Sequence, residues 1–265
     1  MTTGHMILLY SAQIYGDFTG GMDICLGISS ALGIDLYENF DRPFGASSVA
    51  EYWRRWHRSM GRFFTDYVFY PLSTCRLSQK LSRLSRRLPL WMATLVTWAL
   101  TGLWHGAGLQ YLIWGLLHGG YQVVGRLVKP LTKPLREKLD GSVLALPAKW
   151  ARIGWVFLLT GIAWVFFRAD DLGHALAIFR QMTTLGGFGG AAAFGMVNAQ
   201  LWLLAGCLAA LFVWDLTCKK YDLVERLAKC VWLRYALWTV LLLLVLCFGA
   251  YGTGYNAAEF VYFQF

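Results

Sequence analysis

The residues of this chain best equipped for chemistry are histidines and carboxylates set among long apolar runs. His105 stands in Gly102-Leu-Trp-His-Gly-Ala107, at the end of one such run. A neutral imidazole accepts a proton near neutral pH, the work of a general base. The glycines around it let a second backbone or a ligand come close. A structural histidine at a helix end fits the same residues equally well. His118 lies in the next apolar run, where Tyr111, His118 and Gln122 form a polar stripe at helical spacing. Inside a bilayer such a stripe faces protein or a water-filled cavity. Gln13 and Asp17 share a helix face four residues apart, and Asp23 falls elsewhere. Asp17 reads either as a polar tie between helices or as part of a substrate path. His5 and His174 lie outside the apolar runs and carry no such reading.

The elements that must hold these groups follow from composition. Apolar residues make up 57% of the 265 residues and charged residues only 15%, against about 25% in a soluble domain. The expected class is an all-α, polytopic integral membrane helical bundle. A spanning helix takes roughly 20 apolar residues. Candidate spans fall at 6–34, with a break at Gly20-Gly21, and at 90–104, 109–128, 153–167, 201–216 and 235–251. No linker or repeat divides the chain, so 1–265 reads as a single membrane domain. The six cysteines form no C-x-x-C pair and read as small buried hydrophobes.

Charge placement gives the expected topology. All but Arg168 and Arg180 of the 24 Lys and Arg fall in 34–89, 126–152 and 218–234. With six spans these stretches share one side, which the positive-inside rule makes cytoplasmic; Gly187 is then external. The net charge of +9 thus reads as topology and contact with membrane lipid, with no nucleic acid as partner.

Stretch 34–89 contains more than connection. Ser48-Val-Ala-Glu51 is a capping-box signal for a helix start. After it Trp53, Trp56, Met60, Phe63, Phe64 and Tyr67 recur at helical spacing, with arginines between them. The segment 48–70 is expected to be one amphipathic or re-entrant helix at the inner membrane surface. His57 falls on its Trp53/Phe64 side, facing protein or the bilayer boundary. Arg54, Arg55 and Arg58 read as lipid contacts or as partners for a phosphate.

There is no zinc signature, P-loop, dinucleotide fingerprint or G-x-S-x-G elbow in the sequence. No metal and no bound cofactor are expected, and a covalent serine mechanism has no support.

Several blocks together resemble the membrane-bound O-acyltransferases, in particular the alginate O-acetyltransferase type. They are Tyr15-Gly-Asp-Phe-Thr-Gly-Gly-Met-Asp23, Glu38-Asn-Phe-Asp-Arg-Pro-Phe44, Tyr52-Trp-Arg-Arg-Trp-His-Arg-Ser59 and Asp66-Tyr-Val-Phe-Tyr-Pro-Leu72. Further along come the His105 block, Leu112-Ile-Trp-Gly-Leu-Leu-His-Gly119, Gly154-Trp-Val-Phe157, Trp164-Val-Phe-Phe-Arg-Ala-Asp170 and Phe260-Val-Tyr-Phe-Gln-Phe265. The resemblance implies transfer of an acyl group, usually acetyl, to polysaccharide hydroxyls at the outer face. It matches His105 to the family's catalytic histidine and His57 to its second characteristic one. Asp17, His118, Arg54 and Arg55 are the expected substrate-binding residues. The donor is expected to be a co-substrate thioester, acetyl-CoA or an acyl carrier. The expected partners are a polysaccharide acceptor, membrane lipid and a periplasmic or extracellular acetyltransferase, at the cell membrane. The chain begins in the middle of the family pattern, so helices preceding Asp17 in the family are expected to be missing. D-alanyl transfer to teichoic acid is the alternative enzyme, and a transporter or a scaffold the alternative outside enzymes.

Overall fold

The computed structural model describes residues 3–183, 198–221, 225–226 and 229–249. The expected external Gly187 and the closing block at 260–265 lie outside the described residues. All regular structure among the described residues is helical. The helices are α1 (Thr3–Ala31), α2 (Val49–Arg55), α3 (Arg58–Phe64), α4 (Tyr70–Thr74), α5 (Arg76–Leu84), α6 (Leu88–His105) and α7 (Leu109–Asp140). They continue with α8 (Ala145–Arg168), α9 (Leu172–Thr183), α10 (Asn198–Tyr221) and α11 (Val231–Phe248). The helices up to α9 belong to one compact unit, while α10 and α11 belong to a second.

In the first unit α7 packs on α6 and α8, and α1 packs on α8 and α9. α1 runs through Gly20 and Gly21 without the expected break. Its buried residues Ile7, Tyr10, Ser11, Ile14 and Phe18 recur at helical spacing and end just before the glycines, beyond which Ile24 and Ile28 are exposed. It ends where Gly33 takes a φ of +76°. There the Ile34 N–H donates to the Ser29 carbonyl and the Gly33 N–H to the Ser30 carbonyl, a Schellman stop that glycine makes cheap.

α7 continues well past the expected end at 128, through Pro130 and Pro134. The apolar face ends there, but the helix does not. Lys133–Glu137 and Arg136–Asp140 are paired one turn apart, and Arg152 of α8 reaches Asp140 at 2.9 Å. α9 occupies what reads as an outer connection. Ala175 and Ile178 are its buried side, and the Asp171 carboxylate accepts the His174 N–H at 2.7 Å at its start.

The expected amphipathic helix is broken in two. Ser48 caps α2 by accepting the Glu51 N–H at 3.2 Å. The Glu51 carboxylate reaches back one residue further than a capping box requires, accepting the Ser47 N–H at 2.8 Å and the Ser47 hydroxyl at 2.9 Å. Burial pushes that carboxyl up; the two Ser47 bonds and the nearby Arg55 and Arg54 outweigh it, so its pKa is lowered overall. The break falls at His57, held at φ 46° and ψ 54°. Asn39 pins it there, taking the Arg58 N–H on its carbonyl at 3.0 Å and the Ser59 N–H on its side-chain oxygen at 2.9 Å. These bonds cap α3 from a segment far away in sequence, which periodicity alone does not reveal.

Among the described residues two helices, α8 and α11, are long and apolar enough to cross a membrane. Their outer faces are apolar: Trp155 and Leu158 on α8 and Leu242 and Val245 on α11 are exposed. The cysteines follow the same logic. Cys25, Cys207, Cys230 and Cys247 lie exposed rather than buried, because a helix in apolar surroundings is apolar on its outside as well. The side chain of Cys218 lies outside the described residues.

Candidate functional site

His57 and His105, 48 positions apart in sequence, come together. The backbone at His57 lies in the left-handed region, uncommon for any residue but glycine and costly enough to persist only where neighbours enforce it. That turn directs the imidazole against the Phe18 ring of α1, edge-on at 4.7 Å. Both ring nitrogens are buried and have no hydrogen-bond partner among the described residues. His105 ends α6 with its ring edge-on to Trp104 at 4.8 Å, Phe167 at 5.0 Å and Trp114 at 5.1 Å. Aromatic rings connect the two regions: Trp104 beside His105 packs on Phe64 of α3 at 6.2 Å, and Trp114 packs on Trp53 of α2 at 5.7 Å. Buried polar atoms without partners are rare in folded proteins and call for an explanation such as a catalytic role.

Glycines let α6 and α7 approach closely beside His105. At Gly102 the Tyr111 backbone carbonyl occupies the space a side chain would need, and at Gly106 the Tyr111 ring does. At Gly115 the Trp98 carbonyl of α6 lies in that space. α6 and α7 therefore touch backbone to backbone just before His105, the close approach that the flanking glycines suggest.

His118 is enclosed. Its relative exposure is 0%, and its ring stands among Trp53, Trp114 and Trp98 at 4.9, 5.1 and 5.5 Å. The Trp53 indole N–H donates to its Nδ1 at 3.1 Å. Nδ1 as acceptor leaves the proton of a neutral ring on Nε2, and that atom is buried without a partner among the described residues. This bond ties α2 to α7 four residues before His57. Trp53 and Asn39 are thus the site-shaping residues that sequence reasoning missed; Asn39 stands in the quoted Glu38–Phe44 block, and nothing in that block announces its capping role.

The other candidates separate. Asp17 is half-buried on α1 beside Phe18, while Gln13 of the same expected face is exposed. Arg55 is occupied by Glu51 at 2.5 Å and the Arg42 carbonyl at 3.3 Å. Arg54 is exposed and lines a cavity of about 580 Å³ between α2, α3, α6 and α7. His174 pairs with the Asp170 carboxylate at 3.0 Å in an exposed position.

Burial lowers the His57 pKa from 6.5 to about 4, so the folded chain holds this ring neutral at neutral pH. Unfolding restores the ordinary value. The stability His57 contributes is therefore complete above about pH 6.5 and is lost as pH falls toward about 4. Between about pH 7 and about pH 4.5 the wild type should lose more melting temperature in detergent than His57→Asn. Equal losses would mean that the ring is solvated.

The two candidate histidines come from segments far apart in sequence, are each packed among aromatic rings, and lie in a helical body with apolar outer faces. The sequence profile of the membrane-bound O-acyltransferase family matches residues 1–167, a stretch containing both His57 and His105. The chain belongs to that family. A probable alginate O-acetylase of Pseudomonas putida is 34% identical over 179 residues, 68% of this chain and 33% of that protein. A peptidoglycan O-acetyltransferase of Helicobacter pylori is 34% identical over 182 residues, 68% of this chain and 31% of that protein. A teichoic acid D-alanyltransferase of Bacillus subtilis is 34% identical over 109 residues, 41% of this chain and 27% of that protein. The chain spans about a third of the length of the curated relatives it matches.

Proposed function

We propose that this chain forms the histidine-bearing part of a multi-pass membrane enzyme that transfers an acyl group, acetyl in the first instance, to hydroxyls of a cell-envelope polysaccharide. The convergence of His57 and His105 carries the reading. His105 takes the proton of the acceptor hydroxyl as that oxygen attacks the thioester carbonyl. The tetrahedral intermediate then collapses, the carbon–sulfur bond breaks, and the imidazolium returns the proton to the departing thiolate. His57 supports this from the Phe18 side, either orienting a substrate or assisting proton movement. The donor is a thioester, acetyl-CoA or an acyl carrier. The acceptor enters from outside, with a periplasmic or extracellular acetyltransferase as partner, and the basic stretches 34–89 and 126–152 lie at the cytoplasmic surface.

Acetyl transfer is preferred to D-alanyl transfer because the acetylating relatives match 68% of this chain and the two D-alanyltransferases 41% and 58%. The test is transfer of labelled acetyl to surface polysaccharide in cells producing the chain. The chain is produced alone and together with the preceding part of an alginate-type relative. Acetyl incorporation above the empty-vector level in either arm is the expected result. No acetyl transfer in either arm, with labelled D-alanine incorporated instead, would overturn the acetyl reading.

A further inference from the structure

The cavity between the amphipathic segment and helices α6 and α7 contains neither His57 nor His105 in its lining. Its charge is unbalanced. Arg54, Arg58, Arg62 and Arg126 line it together with Glu38 and Asp66, two more guanidiniums than carboxylates. Arg62 pairs with Asp66 at 3.7 Å. Among the described residues Arg54, Arg58 and Arg126 have no carboxylate within ion-pair distance. Arg126 is nonetheless held in place, donating to the Thr94 hydroxyl at 3.0 Å, which leaves the rest of its fork available. On the same wall Thr97 is 8% exposed, and its hydroxyl oxygen is buried without a partner among the described residues. Trp53, Met60 and Trp98 supply apolar walls.

The geometry points to a binding site for a phosphate-bearing amphiphile, with Arg54, Arg58 and Arg126 on the phosphate, the Thr97 hydroxyl as a neutral donor, and the chain along the tryptophans. Phosphate is the anion that matches here. It carries up to two negative charges and takes several donors at once, which suits planar guanidinium forks. An excess of two positive charges over a half-apolar cleft fits that group on an apolar tail better than a fully hydrated ion. Trp53 and Trp98 also pack on Trp114, at 5.7 and 6.3 Å, and Trp114 packs on His105. A ligand here therefore lies one aromatic ring away from the paired imidazoles.

The inference does not depend on acyl transfer, and binding alone tests it. The purified full chain in a neutral detergent is titrated with dihexanoylphosphatidic acid, with inorganic phosphate, and with phosphate-free dihexanoylglycerol. Tryptophan fluorescence is followed, because Trp53 and Trp98 line the cavity. Saturable binding of the phosphatidic acid is expected, roughly ten-fold weaker or worse in Arg58→Gln/Arg126→Gln. The doubly substituted Arg83→Gln/Arg86→Gln, on the exposed surface, should bind as the wild type does. If inorganic phosphate binds with the same arginine dependence and similar affinity, the ligand is the phosphate group itself. If only the phosphatidic acid binds, the ligand is a lipid headgroup with its chains. Thr97→Val keeps every charge and should still weaken binding several-fold, so it decides the matter should the arginine pair fail to fold. Equal binding of dihexanoylglycerol, equal loss in the control pair, or unchanged binding in Thr97→Val and the arginine pair would overturn the proposal.

Discussion

His105→Ala lowers acetyl transfer by about two to four orders of magnitude while the protein still inserts and folds. A positioned general base contributes about 10²–10⁴ in rate, and His105 is the group proposed to take the hydroxyl proton. The fold should survive because, among the described residues, His105 makes no hydrogen bond on which an element depends; its contacts are the rings of Trp104, Trp114 and Phe167. His105→Gln sharpens the test, since it fills part of the same space without accepting a proton near neutral pH. It should lose activity as severely as the alanine variant. His57→Ala should lose less, because a supporting group need not carry the proton. His174→Ala removes only an exposed pair with Asp170 and should be near neutral. Labelled acetyl on surface polysaccharide, normalised to inserted protein, is the measurement. Near-normal transfer by His105→Ala would end the catalytic assignment. Loss merely in proportion to lost protein would make His105 a structural residue.

Much of this fold is written in local sequence, and the rest is not for identifiable reasons. Hydropathy finds the neighbourhoods of α1, α6, α7, α8, α10 and α11, because an apolar run of helical length has few other uses. It cannot find the extension of α7 beyond 128, which stands on ion pairs and on Arg152 of the next helix. Nor can it find α9, a short helix with only a narrow buried side. The amphipathic segment is the instructive failure. Its periodicity continues straight through His57, yet the helix breaks there, because Asn39 supplies acceptors for the freed N–H groups of Arg58 and Ser59. Helix-end satisfaction from a distant segment leaves no periodic signal. The site shows the same division. His105 and His57 are visible as residue types in apolar surroundings, but their convergence is a property of the fold. So is the bond between Trp53 and His118, 65 positions apart. It places His118 in an aromatic enclosure rather than on an open surface.

Gly115→Ala should destabilise the protein, and Gly120→Ala, five residues further along the same helix, should not. The two substitutions are chemically identical, so intrinsic helix propensity favours alanine at both by about 1 kcal/mol. Space decides between them. A methyl group at 115 meets the Trp98 carbonyl oxygen closer than real side chains approach, and the Gly102 backbone at 3.1 Å. These are backbone atoms of α6 and cannot rotate away. At 120 there is nothing within 4 Å. Overpacking of this kind typically costs about 1–3 kcal/mol and occasionally more, enough to cancel or exceed the propensity gain, because small residues are what let apolar helices touch. Gly115→Ala should therefore melt lower in detergent, while Gly120→Ala melts at or above the wild-type temperature. Activity should follow the same division. Gly102, against which Gly115 lies, is three residues from His105, so spreading α6 from α7 displaces the imidazole. A misplacement of about 1 Å is enough to cost on the order of 10² in rate. Transfer by Gly115→Ala should thus fall further than its loss of folded protein explains. A wild-type melting temperature in Gly115→Ala would show that α6 and α7 do not meet backbone to backbone. A low melting temperature with full transfer per folded molecule would show that the contact holds the fold without setting the position of His105.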